Sequence, residues 1–497
     1  MNNSVKKYIL GIDEGTTSAR AVLFDVQKND IVKQARGAFK QYFPKNNWVE
    51  HDAEEIWEIV NHSLQEITDG ITQEEIFALG ITNQRESVVA FSKKTGKPLA
   101  PSICWQCRRT ASFCNKLKTS SFAETIKEKT GLLPDAYFSA SKIRWLLKNN
   151  KTVQKALEEN DLLVGTIDAF LVYRLTKGKS FATDVTNASR TQLMNLKTLD
   201  WDDELLEIFE VPKQILPKIV SNCEHVGDAR IGRISVPICS MIGDQQSSLF
   251  GQGCTNPGEL KNTYGTGAFL LENTGDNIIY SKDLLTTVAY KIGKTTAYAL
   301  EGSIYNCGTI VDWFCKTLGL APSPKEMDAL ADTIKSSDGV YLVPAFTGLG
   351  CPYWDNDATG MFTGLTRSTT PAHLARACLE SIAYCVYDVI KVFERESKTK
   401  INSIRVDGGV TNNKFLMQFQ ANLNNATIYL SNSESTSLGA IYLAGLASGA
   451  YSSINEIRKN VETNGVYQPA VNLTNTLDGI SNWHKAVEKC LYNKKGE

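Results

Sequence analysis

The chain has 497 residues, too many for one ordinary hydrophobic core, so two or more domains are expected. Its 42% hydrophobic and 22% charged content is that of a soluble globular protein. A formal net charge of -1 excludes bulk attraction to nucleic acid or an anionic membrane, though not a local basic pocket for a small anion.

Along the chain, MNNSVKKYILGIDEG has too few apolar residues for a signal-peptide core and lacks a cleavage site. No uncharged apolar run reaches the roughly 18 residues needed to cross a bilayer. A cytoplasmic location without membrane insertion is therefore expected. Residues 8–12 and 20–25 are β-rich and flank a glycine turn. A helix is expected to open at Asp52, with Glu55 placed for a capping box and Ile56, Val60, Leu64 and Ile67 as its core stripe. Phe77–Ile81 reads as a further strand. Cys104 and Cys107 form a CxxC, but the twelve cysteines are scattered and no histidine stands at zinc-site spacing from this pair. Reduced, buried thiols are the expected state, and a redox enzyme is the weakest reading.

The same layout begins again at residues 258–275, GELKNTYGTGAFLLENTG, as strand, glycine turn with hydroxyls, and strand. Residues 286–304 supply more strand. A helix starts with Thr370 as N-cap and Pro371 in the first helical position, and runs through Leu374, Cys378, Ile382 and Val386. Another follows RVDGGVTNN and carries Phe415, Phe419 and Leu423. The small residues of SLGAIYLAGLASGA permit close helix packing. The chain thus reads as two copies of one plan, with domains at 1–250 and 251–497.

GIDEGTTSAR (11–20) sets an acidic pair beside three hydroxyls and an arginine. A glycine turn can wrap phosphate oxygens with backbone N–H groups, and Thr16, Thr17, Ser18 and Arg20 add side-chain donors. Asp13 would repel a bare phosphate, but it is apt if Mg²⁺ lies between carboxylate and phosphate. The turn therefore reads as a site for Mg-nucleotide. A second turn, Thr263 to Gly267, could grip a polyphosphate from the other side. A third element, Asp407 to Asn413, follows a strand and opens a helix, its glycines letting backbone approach a flat ligand. No P-loop pattern is present and no G-x-G-x-x-G opens a helix after the first strand, which disfavours P-loop and dinucleotide-binding folds.

In this order the three elements resemble the ATPase fold shared by actin, hexokinase and Hsp70. Within it the chain resembles the carbohydrate-kinase family that includes glycerol, xylulose and gluconate kinases, and is most similar to its glycerol-specific branch over nearly the whole length. The distinguishing stretches are NWVEHD (47–52), GITNQRES (80–87), WQCRRT (105–110), TNASRT (186–191), GDQQSSLFGQ (243–252), NTYGTG (262–267), VPAFTGLGCPYWD (343–355) and RVDGG (405–409). The resemblance implies an α/β fold of two actin-like (ribonuclease H-like) domains, with mixed central sheets flanked by helices and the active site in the interdomain cleft. It implies phosphorylation of glycerol to sn-glycerol 3-phosphate with ATP and Mg²⁺, and a homodimer or homotetramer.

The resemblance also implies residue roles. Arg85, Glu86, Trp105, Tyr137, Asp244, Gln245 and Phe269 would bind the polyol, with Asp244 as general base. Asp13 would hold the metal, and Thr16, Thr17, Ser18, Arg20, Thr266, Gly308, Gly409 and Asn413 the nucleotide. A carboxylate can accept from two adjacent hydroxyls and an arginine can donate to them, which suits a triol. Two departures stand out. Glu14 replaces the glutamine of many relatives and is expected to add negative charge beside the first turn, and Asp312 replaces a glutamine that often contacts adenine. HVGDARIGRISVPI lacks a glycine- and arginine-rich loop for fructose 1,6-bisphosphate, and His225 is expected to be a plain surface or packed histidine. The alternatives are a kinase for another small polyol or ketose, and a sensor or structural ATPase on the same fold.

Overall fold

The computed structural model describes residues 6–355, 357–432, 434–470 and 474–492, so the reading of residues 1–5 lies outside the described residues. The first half builds a six-stranded sheet. Its strands are β1 (Tyr8–Glu14), β2 (Ser18–Asp25), β3 (Asp30–Ala38), β4 (Ile76–Asn83), β5 (Gly227–Ile231) and β6 (Ile234–Gly243), in the spatial order β5-β6-β4-β1-β2-β3. Strands β1, β2 and β3 form an antiparallel meander, and β4 and β6 run parallel to β1. Ile9, Leu10 and Ile12 of β1 are all fully buried, as expected of a strand covered on both faces.

Helix α1 (Ala53–Thr68) covers this sheet with Ile56, Val60, Leu64 and Ile67 fully buried. Asp52 caps it by accepting from the Glu54 N–H at 2.9 Å. The expected capping box does not form, because Glu55 instead accepts from the Lys40 N–H at 3.3 Å. A five-stranded sheet lies beside the six-stranded one, built from Gln41–Tyr42 and Glu50–His51 before α1 and from Val88–Ser92, Ser102–Ile103 and Leu162–Thr166 after β4.

The second half repeats the plan. Helix α2 (Asp244–Gly251) is followed by β7 (Leu260–Tyr264), β8 (Ala268–Gly275), β9 (Leu285–Ile292) and β10 (Thr295–Ile304). After α3 (Pro371–Ser397) come β11 (Ser403–Asp407), α4 (Lys414–Asn424), β12 (Thr427–Ser431), α5 (Ser435–Ser448) and β13 (Thr463–Tyr467). The order is β9-β10-β8-β7-β11-β12-β13, with β7, β8 and β10 antiparallel and β11 and β12 parallel to β7. Five strands therefore match β3-β2-β1-β4-β6 of the first sheet one for one. Each sheet also has an antiparallel strand beyond the last parallel one, β5 and β13.

Helices α2 and α5 cross in a core shared by the two sheets. Ile9, Val22 and Phe24 of the first and Leu271, Ala289 and Ala299 of the second pack with Leu249, Phe250, Ala440, Ile441 and Leu443. The crossing is close because Gly439 has no side chain. A Cβ there would lie 2.0 Å from the Ser247 carbonyl oxygen. The small residues of SLGAIYLAGLASGA have this use.

Candidate active site

The parallel strands β1, β4, β6, β7 and β11 end at Glu14, Asn83, Gly243, Tyr264 and Asp407, and the chemistry-bearing segments follow those ends. Ligands of such sheets bind outside the carboxyl ends of the strands.

The first turn joins β1 to β2 and is closed by the Gly15 N–H donating to the Ser18 carbonyl at 2.9 Å. Thr17 and Ser18 are exposed at its tip. Arg20 donates to Asp13 Oδ2 through Nε at 3.1 Å and Nη2 at 2.8 Å, and the Ser437 hydroxyl, from α5, donates to the same oxygen at 2.9 Å. Arg20 also pairs with Glu434. The turn is thus fixed from the second half of the chain as well as the first.

Glu14 ends β1 beside the first turn. It is fully buried and accepts from Gln84 through Nε2 at 2.7 Å and through its backbone N–H at 3.3 Å. Burial pushes its carboxyl well above the ordinary range, the two Gln84 hydrogen bonds oppose it, and Asp244 and Asp13 add to the rise.

Arg85 and Glu86 follow β4 and are buried. Arg85 donates to Glu301 through Nη1 at 2.6 Å and Nη2 at 3.3 Å, and its Nε lies 3.2 Å from Asp244 Oδ1. Arg190 donates to Glu86 at 2.6 Å and to Glu301 at 2.9 Å. Two arginines and two glutamates thus form a closed, desolvated cluster, and Glu301 reaches it from the second sheet. Burial and the two guanidiniums act oppositely on Glu301, and the guanidiniums prevail, holding its carboxyl down to about 2. Glu86 has a left-handed φ of 63°, uncommon for a side chain of this kind. The Ser139 hydroxyl and the Lys142 ammonium hold its carbonyl at 3.1 and 3.5 Å.

Asp244 opens α2, where the helix N-terminus favours a carboxylate. Its side chain is 27% exposed. Burial pushes it up to about 6, with Arg85 opposing and Glu86 adding. That value suits a general base near neutral pH. Near Arg85 and Glu86, Trp105 and Tyr137 meet edge to face with ring centroids 5.6 Å apart, and the Trp105 backbone N–H donates to the Ser87 hydroxyl at 3.1 Å. Trp105 Nε1 donates to the Thr16 hydroxyl at 3.0 Å, tying the aromatic wall to the first turn. Gln245 accepts from the Lys261 ammonium at 2.5 Å, and the half-buried Phe269 stands opposite Thr263 in the β7–β8 register.

On the other side, the Thr266 carbonyl accepts from the Cys307 N–H at 2.9 Å, and the Gly308 N–H donates to the Gly265 carbonyl at 2.9 Å. The second turn is therefore stapled to the helix start at Gly308. Gly408 has φ 98°, and a Cβ there would lie 2.1 Å from the Tyr264 carbonyl oxygen. Gly409 faces open space, with nothing within 4 Å of a Cβ. Asn413 caps α4 by accepting from the Leu416 N–H at 2.7 Å. Asp312 is mostly exposed and pairs with Lys316 at 2.8 Å.

Arg190, Glu301, Lys142 and Lys261 were not among the residues read from the sequence. A signal existed for Glu301, the one charge in the apolar strand TTAYALEGSI, since a lone buried charge needs a partner. Cys104 and Cys107 are buried free thiols, and burial pushes Cys104 up to about 12. Among the described residues no group of three or more His, Cys, Asp or Glu could hold a metal by itself. His225 is exposed, 3.1 Å from Asp228.

The N-terminal domain of the FGGY family of carbohydrate kinases matches residues 8–251, and the C-terminal domain matches residues 260–448. The chain is 44% identical to the glycerol kinase of Shewanella frigidimarina over 98% of its own length and 99% of that protein's. It is 45% identical to the glycerol kinase of Parabacteroides distasonis, with 98% of each covered. Its structure is similar to the crystal structure of Plasmodium falciparum glycerol kinase with ADP, at TM-score 0.92 and 35% identity, covering 98% of this chain and 99% of that one. With two actin-like domains and both family domains matched in order, this chain belongs to the FGGY family of carbohydrate kinases.

Proposed function

We propose that the chain transfers the γ-phosphoryl group of ATP to glycerol, giving sn-glycerol 3-phosphate and ADP, as a step of glycerol catabolism. The observation that carries this reading is the convergence of Arg85, Glu86 and Asp244 beside the Trp105–Tyr137 wall. The near-full-length similarity to glycerol kinases supports it.

In this reading the Arg85 and Glu86 side chains bind adjacent hydroxyls, and Trp105, Tyr137 and Phe269 pack against the carbon chain. Asp244 accepts the proton of the terminal hydroxyl as its oxygen attacks the γ-phosphorus. The bond from that phosphorus to the bridging oxygen of the β-phosphate breaks in line, and ADP leaves. Thr16, Thr17 and Ser18 hold phosphate oxygens with the first turn's N–H groups, Arg20 adds positive charge, and Thr266 grips from the opposite turn. Gly308, Gly409 and Asn413 line the nucleoside. Positioning and electrostatics supply most of the rate, since phosphoryl transfer needs little covalent help. Asp13 is a hard oxygen donor beside the phosphate turn and would hold a Mg²⁺ ion there. When bound, that ion neutralises charge on the phosphates.

The division at residues 250 and 251, closure of the cleft, a homodimer or homotetramer, and a cytoplasmic location belong to the same reading. No described helix is long and apolar enough to cross a membrane. A coupled ADP-release assay with Mg-ATP tests the function, run with glycerol beside erythritol, xylulose and dihydroxyacetone. Turnover dominated by glycerol is expected. Turnover confined to another polyol would keep the mechanism and overturn the substrate.

A further inference from the structure

Two fully buried lysines sit near the site, and they are used differently. Lys142 donates to the backbone carbonyls of Tyr137, Phe138 and Glu86, which fixes loop geometry. Lys261, on β7, donates to two neutral side-chain oxygens, Gln245 Oε1 at 2.5 Å and Thr263 Oγ1 at 2.9 Å. An ammonium carries three donor hydrogens, and these contacts use two. A buried charge held only by neutral partners is expensive unless nearby charges of opposite sign, or an arriving anion, stabilise it.

The surrounding charges come from four elements. Asp407 at the end of β11, Asp244 on α2 and Glu301 on β10 favour the ammonium, and Arg85 after β4 opposes it. Arg405, its register partner on β11, turns to the ring of Tyr429. Lys261 in turn lowers the proton affinity of Asp244. Gln245, which it grips, is the next residue after Asp244 in the first turn of α2.

We infer that Lys261 is a further positioning residue for phosphoryl transfer, fixing the Gln245 side chain beside Asp244 and setting a positive charge next to that base. The inference rests on the reading of Asp244 as the base. It predicts two pH limbs. Burial brings the amine down to about 8, so its charge is lost as pH rises through that value. Loss of the charge also raises Asp244 above its value of about 6.

The test is the pH profile of kcat and of kcat/KM for the full chain, Lys261→Arg and Lys261→Met, with Mg-ATP and whichever polyol the full chain turns over, together with each melting temperature. Lys261→Arg is expected to retain turnover and to move the alkaline fall upward by at least one pH unit. Lys261→Met is expected to lower kcat at pH 7 at least tenfold, with a smaller change in KM, and to move the acid limb upward. A merely structural lysine would leave both limbs in place. Wild-type kcat and unmoved limbs in Lys261→Met would overturn the inference. If Lys261→Met does not fold, an unmoved alkaline limb in Lys261→Arg overturns it. The base reading fails separately, by an active Asp244→Asn.

Discussion

Glu301 accepts hydrogen bonds from both terminal nitrogens of Arg85, at 2.6 and 3.3 Å, and so links the second sheet to the residue that follows β4 of the first. It accepts from Arg190 as well, at 2.9 Å. The Arg85 side chain is therefore oriented from the opposite domain, and Glu86 is held by Arg190, which Glu301 also binds. Glu301→Gln keeps the shape but leaves the two buried guanidiniums with only Glu86 and the partly exposed Asp244 as carboxylate partners. Breaking a buried pair from one side costs roughly 3–5 kcal/mol. The expected outcome is a lower denaturation midpoint and a glycerol KM raised at least tenfold. Steady-state kinetics and urea unfolding check it, and a wild-type KM would show that the cluster does not position Arg85.

Trp105 joins the polyol pocket to the phosphate turn through one hydrogen bond, Nε1 to the Thr16 hydroxyl at 3.0 Å. Trp105→Phe keeps an aromatic face toward Tyr137 and removes the donor. A hydrogen bond of this kind contributes about 1 kcal/mol net. kcat/KM should fall roughly fivefold with the melting temperature little changed. If kcat/KM is unaltered, the indole serves packing alone.

Legibility from sequence follows locality. The first turn and the Thr370–Pro371 helix start were readable because glycine, hydroxyl and cap signals act within a few residues, and the helix does run Pro371–Ser397. The repeat of one strand plan was readable from the two glycine turns. The Arg190–Glu301 pair was not, since its members lie 111 positions apart and meet only when the two halves dock. The burial of Glu14 was not readable either, because its partner Gln84 lies 70 positions away. Lys261 was hidden inside a strand whose pattern shows pairing and not what an ammonium touches.

Gly439 and Gly409 should respond oppositely to alanine. At Gly439 a Cβ would lie 2.0 Å from the Ser247 carbonyl oxygen, so α2 and α5 would have to separate. Overpacking of this kind costs about 1–3 kcal/mol or more, and the melting temperature should drop by several degrees. At Gly409 nothing lies within 4 Å, so alanine should leave stability unchanged and raise the KM for ATP if the nucleoside approaches there. Thermal melts and ATP titrations of the two variants check this. Equal melting temperatures would mean that the helix crossing relaxes freely.

Asp244 should carry opposite effects on turnover and stability. Burial raises its carboxyl from 3.8 to about 6. A base must be unprotonated, so kcat/KM should fall about tenfold per pH unit below that value. For stability the sign reverses. Between 3.8 and about 6 the folded state binds more protons than the unfolded chain, so stability falls as pH rises through that window. At pH 7 the full penalty stands, on the order of 1–3 kcal/mol. Asp244→Asn removes it, while Arg85 keeps Glu301 as its partner. The variant should therefore lose most turnover, retain ADP binding, and unfold at higher denaturant at pH 7. Its advantage should shrink at pH 4, where the wild-type carboxyl is already protonated. Urea unfolding at the two pH values, beside ADP-release assays, checks both. A variant less stable than the wild type at pH 7 would show that Asp244 contributes more through Arg85 than its desolvation costs.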